Sequence, residues 1–380
     1  MIYLDHAAAT PMDRRVFDAM GPYWTELFFN PSSPYLPAVN VRHDYEAAKR
    51  NLANLIGSKP GEVIMTAGAT ESINLAFAGV GGHVVVANIE HPAVLNCAKN
   101  MDYTIVSTDK SGIISAEAVK SAITSKTRLV SVALANNELG TIQPLRDIAA
   151  VIRAEREARL VRGDKTPIYL HSDASQGAGQ LDVNVARLGV DMLTLNAGKM
   201  YGPKQVGLLW AASFVCLDPQ IFGGGQERGL RSGTENVAGA VGFARALELA
   251  VEHRKFESDR LAKLRDNLQS VLVDAFPNAV VSGHQKHRLS GHLHISFPGI
   301  DAERLVFLLE NRGVLVATGS ACAANKGSKS HVLDAIGMSD ELANGSIRIT
   351  LGHLSDEKNT KLAGKILIEE ISKEYARIAK

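Results

Sequence analysis

From about residue 40 to 250 the chain alternates stretches of helical period with short apolar, β-branched runs. In 44–56, Tyr45, Ala48, Leu52, Leu55 and Ile56 share one helical stripe; in 145–159, Leu145, Ile148, Ala149 and Ile152 do the same. Strands are predicted at 62–66, 84–87, 103–106, 129–134, 168–171, 192–195 and 206–209. Several are apolar throughout, as expected of strands covered on both faces by helices. The pattern predicts an α/β unit built on a mostly parallel seven-stranded sheet. A long helical stretch over 237–272 leads to a second pattern, with strands at 293–297, 314–317 and 346–350 and helices at 302–311 and 356–379. Residues 15–250 are assigned to a large α/β domain, and 1–14 with 251–380 to a smaller α+β domain.

Composition narrows the classes. The 380 residues are 46% hydrophobic and 21% charged, which predicts a globular chain with a large core. With 41 basic against 40 acidic residues the net charge is +1, so no basic excess points to nucleic acid. No apolar run approaches the roughly 18 residues of a membrane span. The start, Met1-Ile2-Tyr3-Leu4-Asp5-His6, has no charged-then-apolar signal, and a cytoplasmic protein is expected. Cys97, Cys216 and Cys322 cannot all pair within one chain and form no C-x-x-C, which excludes a disulfide scaffold and a zinc ribbon; no metal is called for. Cys97 and Cys216 read as core thiols.

In an open α/β sheet, ligands bind outside the carboxyl ends of the strands. The segments there are Ala67-Gly68-Ala69-Thr70-Glu71, Asn88-Ile89-Glu90-His91, Ala135-Asn136-Asn137-Glu138, Ser172-Asp173-Ala174-Ser175-Gln176 and Asn196-Ala197-Gly198-Lys199. Taken singly, each has an ordinary structural use: a Gly-Ala-Thr turn punctuates strand and helix, an Asp caps a helix, and a Lys is a solvated surface residue. Their convergence is the signal, and the residue types fit pyridoxal phosphate. That cofactor needs a lysine amine for a Schiff base, a carboxylate for its ring nitrogen, and a phosphate cradle of helix N-terminal N–H groups. Ala69 and Thr70 are the candidate cradle.

Those segments, with Arg228-Gly229-Leu230-Arg231-Ser232-Gly233-Thr234, Gly319-Ser320-Ala321-Cys322 and Ser346-Ile347-Arg348, resemble the cysteine desulfurases of the NifS/IscS type. The similarity runs from Tyr3-Leu4-Asp5-His6-Ala7-Ala8-Ala9-Thr10 to the C-terminal helix. It implies the fold-type I architecture of pyridoxal 5′-phosphate (PLP)-dependent transferases, a homodimer, and abstraction of sulfur from L-cysteine to leave alanine. Lys199 then corresponds to the Schiff-base lysine, Asp173 to the partner of the ring nitrogen, and Gln176 and Asn136 to donors toward the ring hydroxyl. His91 corresponds to the imidazole over the ring and a proton carrier. Thr234 would reach the phosphate of the neighbouring subunit, and Arg348 would clamp the substrate carboxylate, beside Asn136. Cys322, in the small, polar run 318–328, would be the thiol that receives sulfur as a persulfide and hands it to an acceptor, an iron–sulfur scaffold or a tRNA-thiolation protein. A free thiol of pKa about 8.5 is only a few per cent ionised at pH 7, so His91 or the substrate must assist it.

Related enzymes of the same fold, a selenocysteine lyase or an aminotransferase, are the nearest alternatives, and a mobile cysteine has no use in transamination. A non-catalytic sulfur-assembly subunit is a further one. A nicotinamide oxidoreductase fits poorly, because Gly79-Val80-Gly81-Gly82 precedes a strand instead of following it. Four positions depart from the family pattern: Gly198 stands where a phosphate-binding His is usual, Asn196 replaces Ser, Tyr35 replaces a His, and Gln205 replaces Gly. Two lost phosphate donors would remove roughly 1.5–3 kcal/mol each if charge-assisted, with Asn196 in place to restore one. Cofactor retention is therefore expected to be weaker than in typical relatives; equilibrium dialysis measures it, and unusually tight binding would refute the expectation.

Overall fold

The computed structural model describes residues 1–319 and 330–379; Cys322 and its run lie outside the described residues. Among the described residues the strands, in chain order, are β1 (Ile2–Tyr3), β2 (Val63–Thr66), β3 (His83–Ala87), β4 (Tyr103–Val106), β5 (Thr127–Ser131), β6 (Tyr169–Asp173), β7 (Met192–Asn196), β8 (Gly207–Ala211), β9 (Val280–Ser282), β10 (His292–Ser296), β11 (Val314–Leu315), β12 (Ala317–Thr318) and β13 (Ser346–Thr350). A seven-stranded sheet has the order β2-β8-β7-β6-β5-β3-β4. Its pairs are parallel from β7 through β4, and β8 runs antiparallel to both its neighbours. All seven predicted strands are present, and the sheet is mostly parallel as expected.

Alternation along each strand sends side chains to opposite faces. Met65, Val85, Val130, Leu193 and Leu208 enter one apolar cluster; Ile64, Val84, Leu129, Met192 and Leu209 enter the other. Helices cover both, among them Leu36–Ile56 and Leu145–Val161 on the first face and Ala69–Val80 on the second. A separate cluster holds Leu4, Leu264, Leu268, Leu293, Ile295, Phe297, Ile347, Ile349 and Leu367 around the four-stranded sheet β12-β13-β10-β9. The helix Val237–Ala275 runs unbroken through residues 250 and 251 and contributes to this cluster and to the first.

Several local expectations change. The helix predicted at 44–56 begins at Leu36, because Pro37 in its first turn needs no N–H acceptor there. The strand predicted at 129–134 ends at Ser131, after which Val132 and Leu134 are still bonded to the chain around β6. The run 314–317 splits into β11, paired with β1, and β12, paired with β13. Cys216, read as core, is exposed, since the chain leaves β8 at Ala211 and crosses the surface. Cys97 is half-buried, and burial raises its thiol pKa.

Two histidines on β10 mark a stability constraint. His292 and His294 are buried with no partner among the described residues on either ring nitrogen, and burial beside Arg348 holds each pKa down to about 3. An unfolded imidazole titrates near 6.5, so below that pH the unfolded chain binds protons that the fold refuses. Stability from this source is complete above pH 6.5 and declines as pH falls toward 3, by about 1.4 kcal/mol per unit for each imidazole. Buried Glu90 and Glu138, with pKa values raised to about 8 and about 7, act with the opposite sign. The clean measurement is therefore a difference. Urea unfolding of wild type and His294→Asn from pH 7.5 to 4.5 should show wild type losing ground steadily below pH 6.5. Parallel curves would contradict the buried neutral imidazole.

Candidate active site

The carboxyl ends of β2, β3, β5, β6 and β7 and the amino end of β8 lie along one edge of the large sheet, as their pairing dictates. A cleft of about 400 Å3 opens there, lined by Ala69, Thr70, His91, Asn136, Asp173, Gln176, Asn196, Lys199 and Arg348. Nine of the residues singled out from sequence therefore border one space. Thr234 does not: it is exposed on the loop before Val237–Ala275, away from this cleft. Cys322 lies outside the described residues.

Lys199 ends a single 3-10 turn, Ala197–Lys199, that leaves β7. Asn196 caps the turn, its Oδ1 accepting from the Gly198 N–H at 3.0 Å. The Lys199 ammonium donates to the carbonyls of Ala7 and Ala8, each at 2.7 Å. Burial and the nearby Arg348 guanidinium lower its pKa, against the pull of Asp173. A larger share of neutral amine results, as a nucleophile or base requires. Asp173 closes β6 and accepts the Ser175 N–H at 2.9 Å through Oδ1. Gln176 donates to the Ala7 carbonyl at 3.0 Å. Asn136 is buried, with Oδ1 accepting from the N–H groups of Glu138 and Leu139 and Nδ2 donating to Ile89, which leaves one N–H for a ligand.

His91 caps the helix Pro92–Lys99 by accepting the Ala93 N–H on Nδ1. Desolvation and the Lys199 cation lower its pKa, offset by Asp173, so the ring is neutral near pH 7. Arg348 on β13 is 3% exposed; one Nη donates to Asp5 at 2.7 Å and the other to the Asn137 carbonyl at 3.2 Å. Its Nε–H is buried with no partner among the described residues, each Nη keeps a second N–H, and the residue borders the cleft.

The helix Ala69–Val80 begins directly after Gly68, and its first N–H groups, at Ala69 and Thr70, have no helical acceptor. Gly68 has φ 141° with open space where a Cβ would stand. Opposite, a Cβ on Gly207 would lie 2.6 Å from the Gly68 carbonyl carbon and 2.7 Å from its Cα. Glu71 fastens the turn by accepting from the Ala67 N–H and from Arg231, each at 2.8 Å. Gly198 leaves room that the Lys204 side chain covers: a Cβ there would sit 3.2 Å from Lys204 Cδ. The Lys204 ammonium binds the Thr10 carbonyl. Gln205 holds a left-handed φ of 54°, the conformation for which Gly is the unstrained residue.

Several contributors went unremarked in the sequence. Asp5, the partner of Arg348, stood inside a quoted motif without a role. The carbonyls of Ala7 and Ala8 carry no side-chain signal at all. Glu138, accepting the Ser330 hydroxyl at 2.5 Å, and Glu90, whose Oε2 is buried without a partner among the described residues, were legible only as parts of motifs.

The sequence model for class-V aminotransferases matches residues 2–362. The chain belongs to the class-V aminotransferase family. This family member is 38% identical over 371 residues to cysteine desulfurase IscS 1 of Archaeoglobus fulgidus, with 94% of each chain covered. The solved structure of a NifS-like protein superposes with a TM-score of 0.89 at 34% identity, covering 98% of this chain and 99% of that one. A structure described as SspA in complex with cysteine matches with a TM-score of 0.78 at 34% identity, covering 92% and 99%. The family's cofactor is PLP, and the donor set suits it. A desolvated amine, a carboxylate at the end of β6, an uncommitted amide N–H on Asn136 and a Cβ-free cradle at a helix start all face one cleft.

The closeness of Gly207 to Gly68 is a contact between backbones, which no side-chain rotation relieves. Gly207→Ala should displace the cradle and weaken PLP binding by about tenfold or more, while a Gly198→Ala control changes it less. Fluorescence titration of the apoprotein with PLP measures both, and unchanged binding in Gly207→Ala would remove the cradle from this turn.

Proposed function

We propose that the protein is a PLP-dependent cysteine desulfurase that moves the sulfur of L-cysteine onto Cys322, leaving L-alanine and a persulfide. The observation that carries this is the pairing, across one cleft, of the desolvated Lys199 amine and the buried Arg348 guanidinium. An amino acid needs both: a cation to hold its carboxylate and a base within reach of its Cα.

Arg348, held by Asp5 and the Asn137 carbonyl, binds the substrate carboxylate with the N–H donors that its Nη atoms keep free of these two bonds. Because both partners keep the guanidinium in one orientation, the substrate's Cα is presented toward Lys199. Lys199 is the base that takes the Cα proton onto Nζ. PLP, when bound, supplies the electron sink that makes this proton removable, with the Asp173 carboxylate keeping its ring nitrogen protonated. His91, neutral near pH 7, accepts the thiol proton of Cys322 or of the substrate. The Cys322 thiolate then attacks the substrate sulfur: the S–S bond forms as the Cβ–S bond breaks. The electron pair stays with Cβ, which takes the proton held by His91, and Lys199 Nζ returns its proton to Cα. The balance is one enzyme thiol and one cysteine in, one enzyme persulfide and one alanine out.

The chain works as a homodimer in this reading, with Thr234 extending from one subunit toward the phosphate of the other; its exposed position on a loop tied through Arg231 to Glu71 supports this. The persulfide passes to an iron–sulfur scaffold or a tRNA-thiolation protein. A cytoplasmic site of action accompanies the reading. No helix among the described residues is long and apolar enough to cross a membrane.

Mass spectrometry after L-cysteine treatment should find one added sulfur on Cys322. Cys322→Ser should bind PLP normally yet form no persulfide, and Lys199→Ala should lose alanine formation by about 10³-fold or more. Sulfur release by Cys322→Ser at the wild-type rate in a single turnover, or amino exchange with a keto acid in place of sulfide, would overturn the assignment.

A further inference from the structure

β2 is an edge strand of the large sheet, paired on one side only, with β8. On such a strand the N–H groups that point away from the sheet have no ladder acceptor. Here they belong to Met65 and Ala67, two positions apart and so on the same side. A carboxylate takes each at 2.8 Å, Glu227 on Met65 and Glu71 on Ala67. Two residues further on stand Ala69 and Thr70, whose N–H groups open the next helix.

Glu227 is buried and fully engaged. Besides Met65 it accepts from the Tyr45 hydroxyl at 2.5 Å and from the Lys49 ammonium at 2.9 and 3.0 Å. Tyr45 and Lys49 lie four apart on the helix Leu36–Ile56, which puts them on one face. Burial and the Glu227 carboxylate raise the Tyr45 pKa far above its ordinary value, so the hydroxyl keeps its proton and donates it. A carboxylate gripped at both oxygens by a helix, and at one by a strand, has a single orientation.

The backbone around it is strained. Glu227 and Arg228 have φ of 48° and 60°, a left-handed conformation that L side chains rarely adopt, and Gly229 follows at 78°. Such strain persists only where the surroundings enforce it, and it gathers at sites that use it. The loop closes on itself: the Gly229 N–H donates to the Gly225 carbonyl at 2.9 Å and the Gly233 N–H to Gln226 at 3.0 Å. Arg231 of the same loop donates to Glu71 at 2.8 Å. One loop therefore holds both carboxylates on the β2 edge.

We propose that Glu227 is the positioning residue of the cofactor cradle. It takes the Met65 N–H while its loop keeps Glu71 on the Ala67 N–H. Together these fix the course of residues 65–68, and with it the aim of the Ala69 and Thr70 N–H groups toward the PLP phosphate. Glu227 does not border the cofactor cleft and acts through β2 and its own loop.

The inference rests on Ala69 and Thr70 as the phosphate cradle, and the test separates the two. Breaking a buried ion pair at one partner destabilises a fold, whereas removing both charges is often tolerated, so the comparison is made without the pair. Lys49→Met with Glu227→Gln keeps an acceptor for Met65; Lys49→Met with Glu227→Leu has none. The full-length apoprotein is titrated with PLP by fluorescence, and phosphorus-31 NMR of the loaded protein reads the phosphate's surroundings. The Gln form should bind PLP within about twofold of wild type, and the Leu form about tenfold more weakly with a displaced resonance. A merely structural role would lower the urea midpoint yet leave affinity and resonance alike in the two forms, and that result overturns the inference. Wild type supplies a reading that needs no variant. Binding at the cradle must tighten the edge that positions it, so PLP should slow hydrogen exchange at the Met65 amide about threefold more than at the amides of β4 on the opposite edge. Equal slowing at both edges overturns it. Gly207→Ala binding PLP as wild type does would instead sink the cradle itself. With Gly207→Ala weakened and the two double variants alike, the role of Glu227 alone falls.

Discussion

The hydrogen bonds from Lys199 to the carbonyls of Ala7 and Ala8, each 2.7 Å, join the first ten residues of the chain to a turn 190 residues later. Much of the site hangs on that junction. The same N-terminal segment accepts from Gln176 at Ala7, donates to Thr350 through the Ala7 N–H, and pairs Asp5 with Arg348. It therefore spans the large sheet's edge and the smaller sheet's β13. It brings the amine carried by one and the guanidinium carried by the other to a single cleft. Backbone carbonyls suit this task, since they orient an ammonium without neutralising it, and the amine stays free to lose its proton.

Burial organises the electrostatics around that junction. Arg348 is held by a carboxylate and a carbonyl, and among the described residues the guanidinium keeps further N–H donors unspent. Lys199 and His91 are both shifted toward their neutral forms by desolvation, while Asp173 pulls both the other way. One ionised carboxylate among groups biased to neutrality makes a cleft with a defined polarity. Glu90 and Glu138, beneath it, have raised pKa values because burial outweighs their hydrogen bonds. Glu90, mostly protonated at pH 7, adds little competing negative charge to Asp173.

The departures from the family pattern have local physical consequences. With no side chain at Gly198, Lys204 folds across the turn and reaches the Thr10 carbonyl, a second tie between the N-terminal segment and the lysine turn. Asn196 spends its oxygen on capping that turn, which leaves only its amide N–H groups to face the cleft. Gln205 accepts a left-handed backbone next to Val206, whose carbonyl receives the Ala197 N–H. The strain is of order 1 kcal/mol, and it is held by the antiparallel pairing of β7 with β8.

Apolar runs such as Val84–Val85–Val86 and Leu208–Leu209 were enough to reveal a covered, mostly parallel sheet, because strands buried on both faces leave no polar alternation. Chemistry-bearing residues that follow strands were legible for a related reason: in such a sheet, position after a strand is position at the ligand edge. Short pieces were not legible. β11 and β12 are two residues each, too short for a period, and only their partners β1 and β13 define them. The exposure of Cys216 depends on where the chain leaves the sheet, which hydrophobicity in Phe214-Val215-Cys216-Leu217 does not encode. The sequence by itself determined the fold class and which side chains meet at the sheet edge, since both follow from periodicity and chain order. Tertiary structure alone decided that carbonyls of Ala7 and Ala8 hold the lysine and that Asp5 steers Arg348. Backbone acceptors and empty volume have no letter in a sequence; they exist only once distant segments pack together.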